Sequence, residues 1–258
     1  MGTLLVEGIG AVLLAIRFVP QFGLLGIWFS IFHSISAFCN GGFDILGLYS
    51  GPYSSLAAYQ GDPLVLGTIM ALIVIGGLGF FVWEDVIQKR CWKKLTLYSK
   101  MVLGITACLI VFGAVYFACA EWENPDTLGS MPLWQRPLNA LFQSVTLRTA
   151  GYATFDQGKL LEGSAVMSIL LMLIGGSSGS TAGGLKTATV GVLLLALRDG
   201  LRGRDQVVFR GRRIPGRKVL DAMTLALTVL LLFLSASMLL SLMERVPYVQ
   251  AAFETASA

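Results

Sequence analysis

The chain has 258 residues, 55% of them hydrophobic and only 13% charged, with a formal net charge of +4 and a mean hydropathy of +0.73. That balance excludes a soluble globular domain and describes an integral membrane protein that buries its apolar surface in lipid. Four cysteines, Cys39, Cys91, Cys108 and Cys119, have no paired spacing, which argues against a disulfide framework or a zinc site.

A helix needs about 20 residues to cross the hydrocarbon core. The first apolar stretch, residues 3–19, contains Glu7 and Arg17 and lacks the basic start and small-residue cleavage site of a signal peptide, so it reads as a retained span. Residues 27–38 follow, about twelve residues, too short to cross but long enough for a half-helix. The segment Cys39, Asn40, Gly41, Gly42, Phe43 comes next. Glycine there opens backbone angles closed to other residues and keeps bulk away from the carbonyls. His33, the only histidine, is expected in a helix-terminal or solvated role, because no nucleophile and base can be assembled around it.

Further spans are predicted over residues 63–82, 101–120, 160–197 and 219–242, which makes five passes. Lys89, Arg90, Lys93, Lys94 and Lys100 follow the second span. Arg198, Arg202, Arg204, Arg210, Arg212, Arg213, Arg217 and Lys218 follow the fourth. These are 13 of the 19 Lys and Arg residues, so loops 84–100 and 198–218 and the amino terminus are expected on the cytoplasmic side. The basic loops serve topology alone or also dock a cytoplasmic partner; both readings stay open.

Residues 141–146 (LFQSVT) precede Leu147, Arg148, Thr149, Ala150 and Gly151 much as residues 32–37 (FHSISA) precede the first glycine pair, and residues 253–258 (FETASA) nearly copy the latter. Gly42 and Gly151 lie 109 residues apart, and Leu141 and Phe253 lie 112 apart. A single glycine loop of this kind would read as an outer-side turn. Recurrence at a fixed interval between spans instead indicates tandem helix, re-entrant loop, helix units. Non-helical backbone at membrane depth is tolerated where it lines a cavity or pore. A half-helix pointing its carbonyl end inward favours a cation there.

Residues 160–197 would form a helix of roughly 57 Å at 1.5 Å per residue, longer than a membrane requires. A break is predicted at Gly175, Gly176, Ser177, Ser178, Gly179, Ser180, Thr181, Ala182, Gly183 and Gly184, residues of poor helix propensity whose hydroxyls can satisfy freed backbone groups. A phosphate-binding reading of residues 179–187 fails, because Leu185 stands where lysine must follow glycine and no strand precedes it. A small-residue helix contact through Gly175, Gly179 and Gly183 remains compatible with a break. Lys186 either repels cations or holds the loop through carbonyl bonds.

Residues 34–44 (SISAFCNGGFD), 144–156 (SVTLRTAGYATFD) and 174–187 (IGGSSGSTAGGLKT), supported by residues 3–11 and 75–85, resemble the Trk/Ktr/HKT superfamily of potassium transporters, most closely its Ktr-type membrane subunits. The resemblance implies an all-α integral membrane fold of tandem membrane-loop-membrane repeats with re-entrant pore helices and filter loops. It implies pore repeat two at residues 1–90, repeat three at 91–200, and the basic loop, first helix and pore-helix start of repeat four at 201–258, with repeat one and the fourth filter strand lacking.

Filter strands are implied at Cys39, Asn40, Gly41 and Gly42 and at Arg148, Thr149, Ala150 and Gly151, with potassium on the carbonyls of Asn40, Gly41, Thr149 and Ala150. A gating loop is implied from Gly175 to Lys186. Arg148 is expected to pack behind its strand, against a carboxylate or loop carbonyls. Gly41 and Tyr152 stand where alanine and phenylalanine are commoner in the family, a difference expected to matter little. The function implied is channel-like potassium uptake across the cell membrane, with sodium dependence left open; the alternatives are a non-conducting fragment or assembly partner, or a sodium-permeable relative of the same fold. No enzyme activity, no cofactor in this chain and no nucleic acid partner are expected. The partners implied are membrane lipid, a second copy of the subunit, and a cytoplasmic ring of nucleotide-binding regulatory subunits.

Overall fold

A computed structural model describes residues 2–51, 54–204, 206–209 and 211–258; Arg210 of the basic loop lies outside them. The fold is all-α and multi-pass. Helix α1 (Gly2–Phe22) is followed by α2 (Leu24–Phe38), the single turn α3 (Gly47–Ser50), α4 (Pro63–Leu78) and α5 (Phe80–Lys89). Then come α6 (Leu97–Ala120), α7 (Gln135–Thr146), α8 (Glu162–Leu173), α9 (Thr187–Leu201), α10 (Gly216–Glu244) and α11 (Tyr248–Ser257).

The elements begin and end where the chain offers caps or breakers. Asp62 accepts from Leu64 N (2.9 Å) and Val65 N (3.3 Å) ahead of Pro63, an N-cap with proline at the first helical position. Thr96 caps α6 by accepting from Ser99 N at 3.2 Å. Gly79, at φ +80°, ends α4 in a conformation that costs a side-chain-bearing residue heavily. The next helix leaves at 96°. The span predicted over residues 63–82 is therefore corrected to a bent pair.

The five predicted passes are also revised. Among the described residues three helices, α1, α6 and α10, are long and apolar enough to cross a membrane, and a fourth if α4 and α5 count together. Residues 160–197 are interrupted as their length required, but the interruption is wide. Helix α8 is only 12 residues, and α9 resumes at Thr187. The purely helical expectation misses two small β features: a hairpin pairing β1 (Val208–Phe209) with β2 (Arg212–Arg213), and a parallel bridge between Ile174 and Leu185.

The order long helix, short helix, glycine turn, helix occurs twice, and the helix contacts match. Ser34 of α2 donates to Glu7 O of α1 at 2.6 Å, while Ser144 of α7 donates to Ile110 O of α6 at 2.8 Å. Each hydroxyl is seated on a glycine, Gly10 and Gly113 respectively, where a Cβ would collide with it. One apolar core joins α1, α2 and α4 around Leu14, Phe18, Phe38 and Ile69 and takes in Phe142, Ala150 and Tyr152 from the second unit. A second joins Phe117, Leu128, Ile169, Leu171 and Ala252.

Candidate functional site

Helices α2 and α7 each end by unwinding into a strand, and the unwinding consumes the strand's N–H groups. Cys39 N donates to Ile35 O (2.8 Å), Asn40 N to Ala37 O (3.2 Å) and Gly41 N to Ser36 O (2.8 Å). In the second unit Arg148 N donates to Val145 O (3.1 Å), Ala150 N to Thr146 O (2.9 Å) and Gly151 N to Thr146 O (3.4 Å). The carbonyls of Asn40, Gly41, Thr149 and Ala150 accept no hydrogen bond among the described residues. Each strand also carries two positive φ angles at corresponding places: Asn40 (+52°) and Gly42 (+65°), Thr149 (+63°) and Gly151 (+93°). Gly41 and Ala150 between them do not. Alternation of this kind turns successive carbonyls toward one side of a strand, and holding Asn40 and Thr149 in the left-handed region costs on the order of 1–3 kcal/mol each.

The strands meet at their glycines. A Cβ at Gly151 would lie 3.4 Å from Gly42 Cα, and one at Gly42 would collide with Ala150 O. Asn40 Nδ2 donates across to Arg148 O at 3.3 Å, and Leu56 N donates to Ala153 O at 2.9 Å. Tyr152, whose ring is buried, donates its hydroxyl to Phe43 O at 3.2 Å. The hydroxyl that separates this residue from phenylalanine thus reaches the other strand, a contact phenylalanine could not make. Both strands face a cleft of about 220 Å³ whose far wall is α11, through Phe253, Ala256 and Ser257. The strand after the first FHSISA-like segment, the end of the second segment with its strand, and the third segment therefore line one cleft.

Directly against the strands sits the glycine and serine loop. Thr181 Oγ1 lies 3.0 Å from Phe38 O, to which it donates, and 3.4 Å from Asn40 Oδ1. Gly183 N donates to Thr149 Oγ1 at 3.2 Å. The side chains of the two left-handed non-glycine residues thus turn to the loop. The loop is tied on its other side to the α4–α5 bend: Ser177 N to Gly77 O (3.0 Å), Ser177 Oγ to Leu78 O, and Phe80 N to Gly179 O (3.1 Å). Tyr98 of α6 adds a clasp, its hydroxyl accepting from Ser178 N at 3.2 Å.

Arg148 lies behind its strand, buried, with Nη2 donating to Gly175 O (3.3 Å) and Thr187 Oγ1 (3.4 Å). Of the two partner types expected, a loop carbonyl is the one found. Lys186 Nζ donates to Ala182 O at 2.7 Å, closing the loop on itself. His33 departs from expectation: it is fully buried, its Nδ1 2.7 Å from Phe29 O, packed on Phe18. In this apolar pocket between α1 and α2 one ring nitrogen is satisfied locally, while Nε2 has no partner among the described residues.

Sequence reasoning brought together residues 39–42, 148–151 and 175–186, and all three groups converge here. It missed Gly79, Tyr98 and Thr187, which hold the loop. Residues 75–85 and Thr187 stood inside the quoted motifs, so the glycine and the hydroxyl were in view, whereas Tyr98 carried no signal.

The comparisons agree with this architecture. The TrkH family, described as cation transport protein, matches residues 5–258. The potassium/sodium uptake protein NtpJ of Enterococcus hirae is 43% identical over 94% of this chain and 52% of its own length. The Ktr system potassium uptake protein B of Bacillus subtilis is 37% identical over 98% of this chain and 56% of its own. The crystal structure of the potassium transporter TrkH from Vibrio parahaemolyticus has the same fold, with a TM-score of 0.58 at 22% identity, over 90% of this chain and 48% of that one. The chain spans about half the length of the curated relatives it matches. The chain belongs to the TrkH family of cation transport proteins.

Proposed function

We propose that this chain supplies part of a potassium-uptake pathway across the cell membrane, with potassium carried on the carbonyls of Asn40, Gly41, Thr149 and Ala150. The observation that carries the reading is the set of four backbone carbonyls without a partner among the described residues, on two strands of alternating handedness beside one cleft. Carbonyls that face a cleft without a protein donor are free to take the place of a cation's hydration shell, as carbonyl rings do in potassium filters. Residues 1–90 and 91–200 act as successive pore units. Residues 201–258 supply a basic loop, a helix and a further pore-helix start. The loop from Gly175 to Lys186 gates the path from the cytoplasmic side.

The names of the relatives support the cargo, since two of those at 37% identity are called Ktr system potassium uptake proteins. A named system suggests more than one subunit. We take the full-length subunit to pair with a second copy and to rest on a cytoplasmic nucleotide-binding ring docked at loops 84–100 and 198–218, with the amino terminus on the same side. Its activity is transport rather than catalysis. A second reading, sodium permeation alongside potassium, is favoured by the relative named potassium/sodium uptake protein at 43% identity.

The filter assignment is tested by Gly151→Ser in the full-length protein. A Cβ at φ +93° is strained, and the substitution disturbs the Gly42 contact. Ion-flux assays should register a fall in potassium-over-sodium preference of roughly tenfold, the effect of about 1.4 kcal/mol at one filter position. Unchanged preference would sink the assignment.

A further inference from the structure

A cavity of about 580 Å³ lies outside the filter, between the first turns of α6, the start of α9, the β1–β2 hairpin and the first turns of α10. That volume is in the roughly 300–1,000 Å³ range of clefts that hold small ligands. Its interior is apolar, with Leu97, Met101, Val192 and Leu225 among its walls, while Arg212, Arg213 and Lys218 stand in its lining against a single carboxylate, Asp221. The three cations form no ion pair among the described residues. The hairpin wall is fastened rather than loose: Val208 N donates to Asp199 Oδ2, and Arg198 Nη2 to Val208 O, each at 2.9 Å.

The surroundings identify the occupant. Helix α10 is long and apolar enough to cross the membrane, yet only Ala222 and Ser237 along it are buried. Its uncovered apolar face on the cavity side, with Leu225, Leu232 and Leu239 exposed at seven-residue spacing, runs from the membrane span to the cavity, which Leu225 itself lines. A ligand entering along that face arrives with an apolar tail and meets positive charge at the end of the span. Basic pockets between membrane helices hold anionic lipid headgroups by this arrangement. A free anion would leave the apolar interior empty, and an acidic peptide would have to insert between two spanning helices.

We propose that this cavity binds an anionic phospholipid of the adjoining leaflet, its phosphate on Arg212, Arg213 and Lys218 and one acyl chain between α6, α9 and α10. The proposal concerns binding and stands apart from which cation the pore carries. Tyr98 belongs both to the cavity wall and to the clasp on Ser178, so the bound chain touches an anchor of the loop beneath the filter.

The test uses the purified full-length protein and phosphatidylglycerol with a photoactivatable acyl chain, against phosphatidylcholine with the same chain. Cross-links should map to residues 97–101 and 209–225, with at least tenfold more labelling by phosphatidylglycerol. The R212Q/R213Q/K218Q variant should weaken binding by about 100-fold, and each single replacement by about fivefold, so that misfolding of the triple variant does not decide the matter. Equal labelling by both lipids, cross-links confined to other faces, or unchanged affinity in the single variants would overturn the proposal. So would competition by glycerol phosphate as effective as that by the intact lipid, or cross-links from these residues to another protein segment in native membranes.

Discussion

Arg148 brings a permanent charge into the wall behind the second glycine strand and finds neutral oxygens there, Gly175 O and Thr187 Oγ1. Its Nε has no partner among the described residues. Such a cation has given up hydration without gaining a countercharge. The geometry suits a strut, because the guanidinium reaches from the strand to the loop and its planar fork fixes the angle between them. Replacing Arg148 by Gln should therefore uncouple loop from strand and lower stability by about 1–3 kcal/mol. Thermal unfolding of the detergent-solubilised protein checks this, and an unchanged melting temperature would count against the strut. Asn40 and Thr149 bear the complementary burden: their left-handed backbone is held in place by side-chain bonds to Arg148 O and from Gly183 N.

The hairpin shows how one carboxylate organises an element. Asp199 is fully buried, accepts from Val208 N and Arg198, and forms a longer ion pair with Arg204 at 3.7 Å. The Val208 N–H and then the two guanidinium groups hold its carboxyl below the ordinary value of 3.8. A depressed carboxylate stabilises above its ordinary pKa and loses that contribution as pH falls through the lowered one. Hydrogen exchange at Val208, corrected for intrinsic rate, should therefore stay slow from neutrality to about pH 4 and accelerate only below it. Loss of protection already at pH 6 would contradict the assignment. None of this was legible in the sequence, where two-residue strands carry no alternation to detect. The two glycine strands after α2 and α7 were legible because glycine recurs at matching positions after a short apolar helix. The break in residues 160–197 was legible from length alone. The bend at Gly79 was not: a glycine inside an apolar window hardly changes its hydropathy, and what turns the chain is the contact with Gly179, 100 residues away. Tyr98 escaped for the same reason, since its role exists only once Ser178 arrives beside it.

At the scale of the whole molecule the loop is the meeting point of both units, bonded to each glycine strand on one side and to the α4–α5 bend and α6 on the other. Removing residues 176–183 from the full-length protein should raise basal cation flux several-fold if this body obstructs the path, and flux equal to wild type would argue against a gate. Tandem units make this possible with few types of contact, since the same serine-on-glycine seat docks α2 on α1 and α7 on α6. The bracing of the first strand has a further consequence for biosynthesis. Tyr152 supports Phe43 from 109 residues downstream, and Ala153 pairs with Leu56 and Ser55. Residues 39–43 must leave the ribosome and enter the membrane long before their buttress is made. Contacts so distant along the chain form late, so the first strand lacks its buttress until translation has passed Ala153.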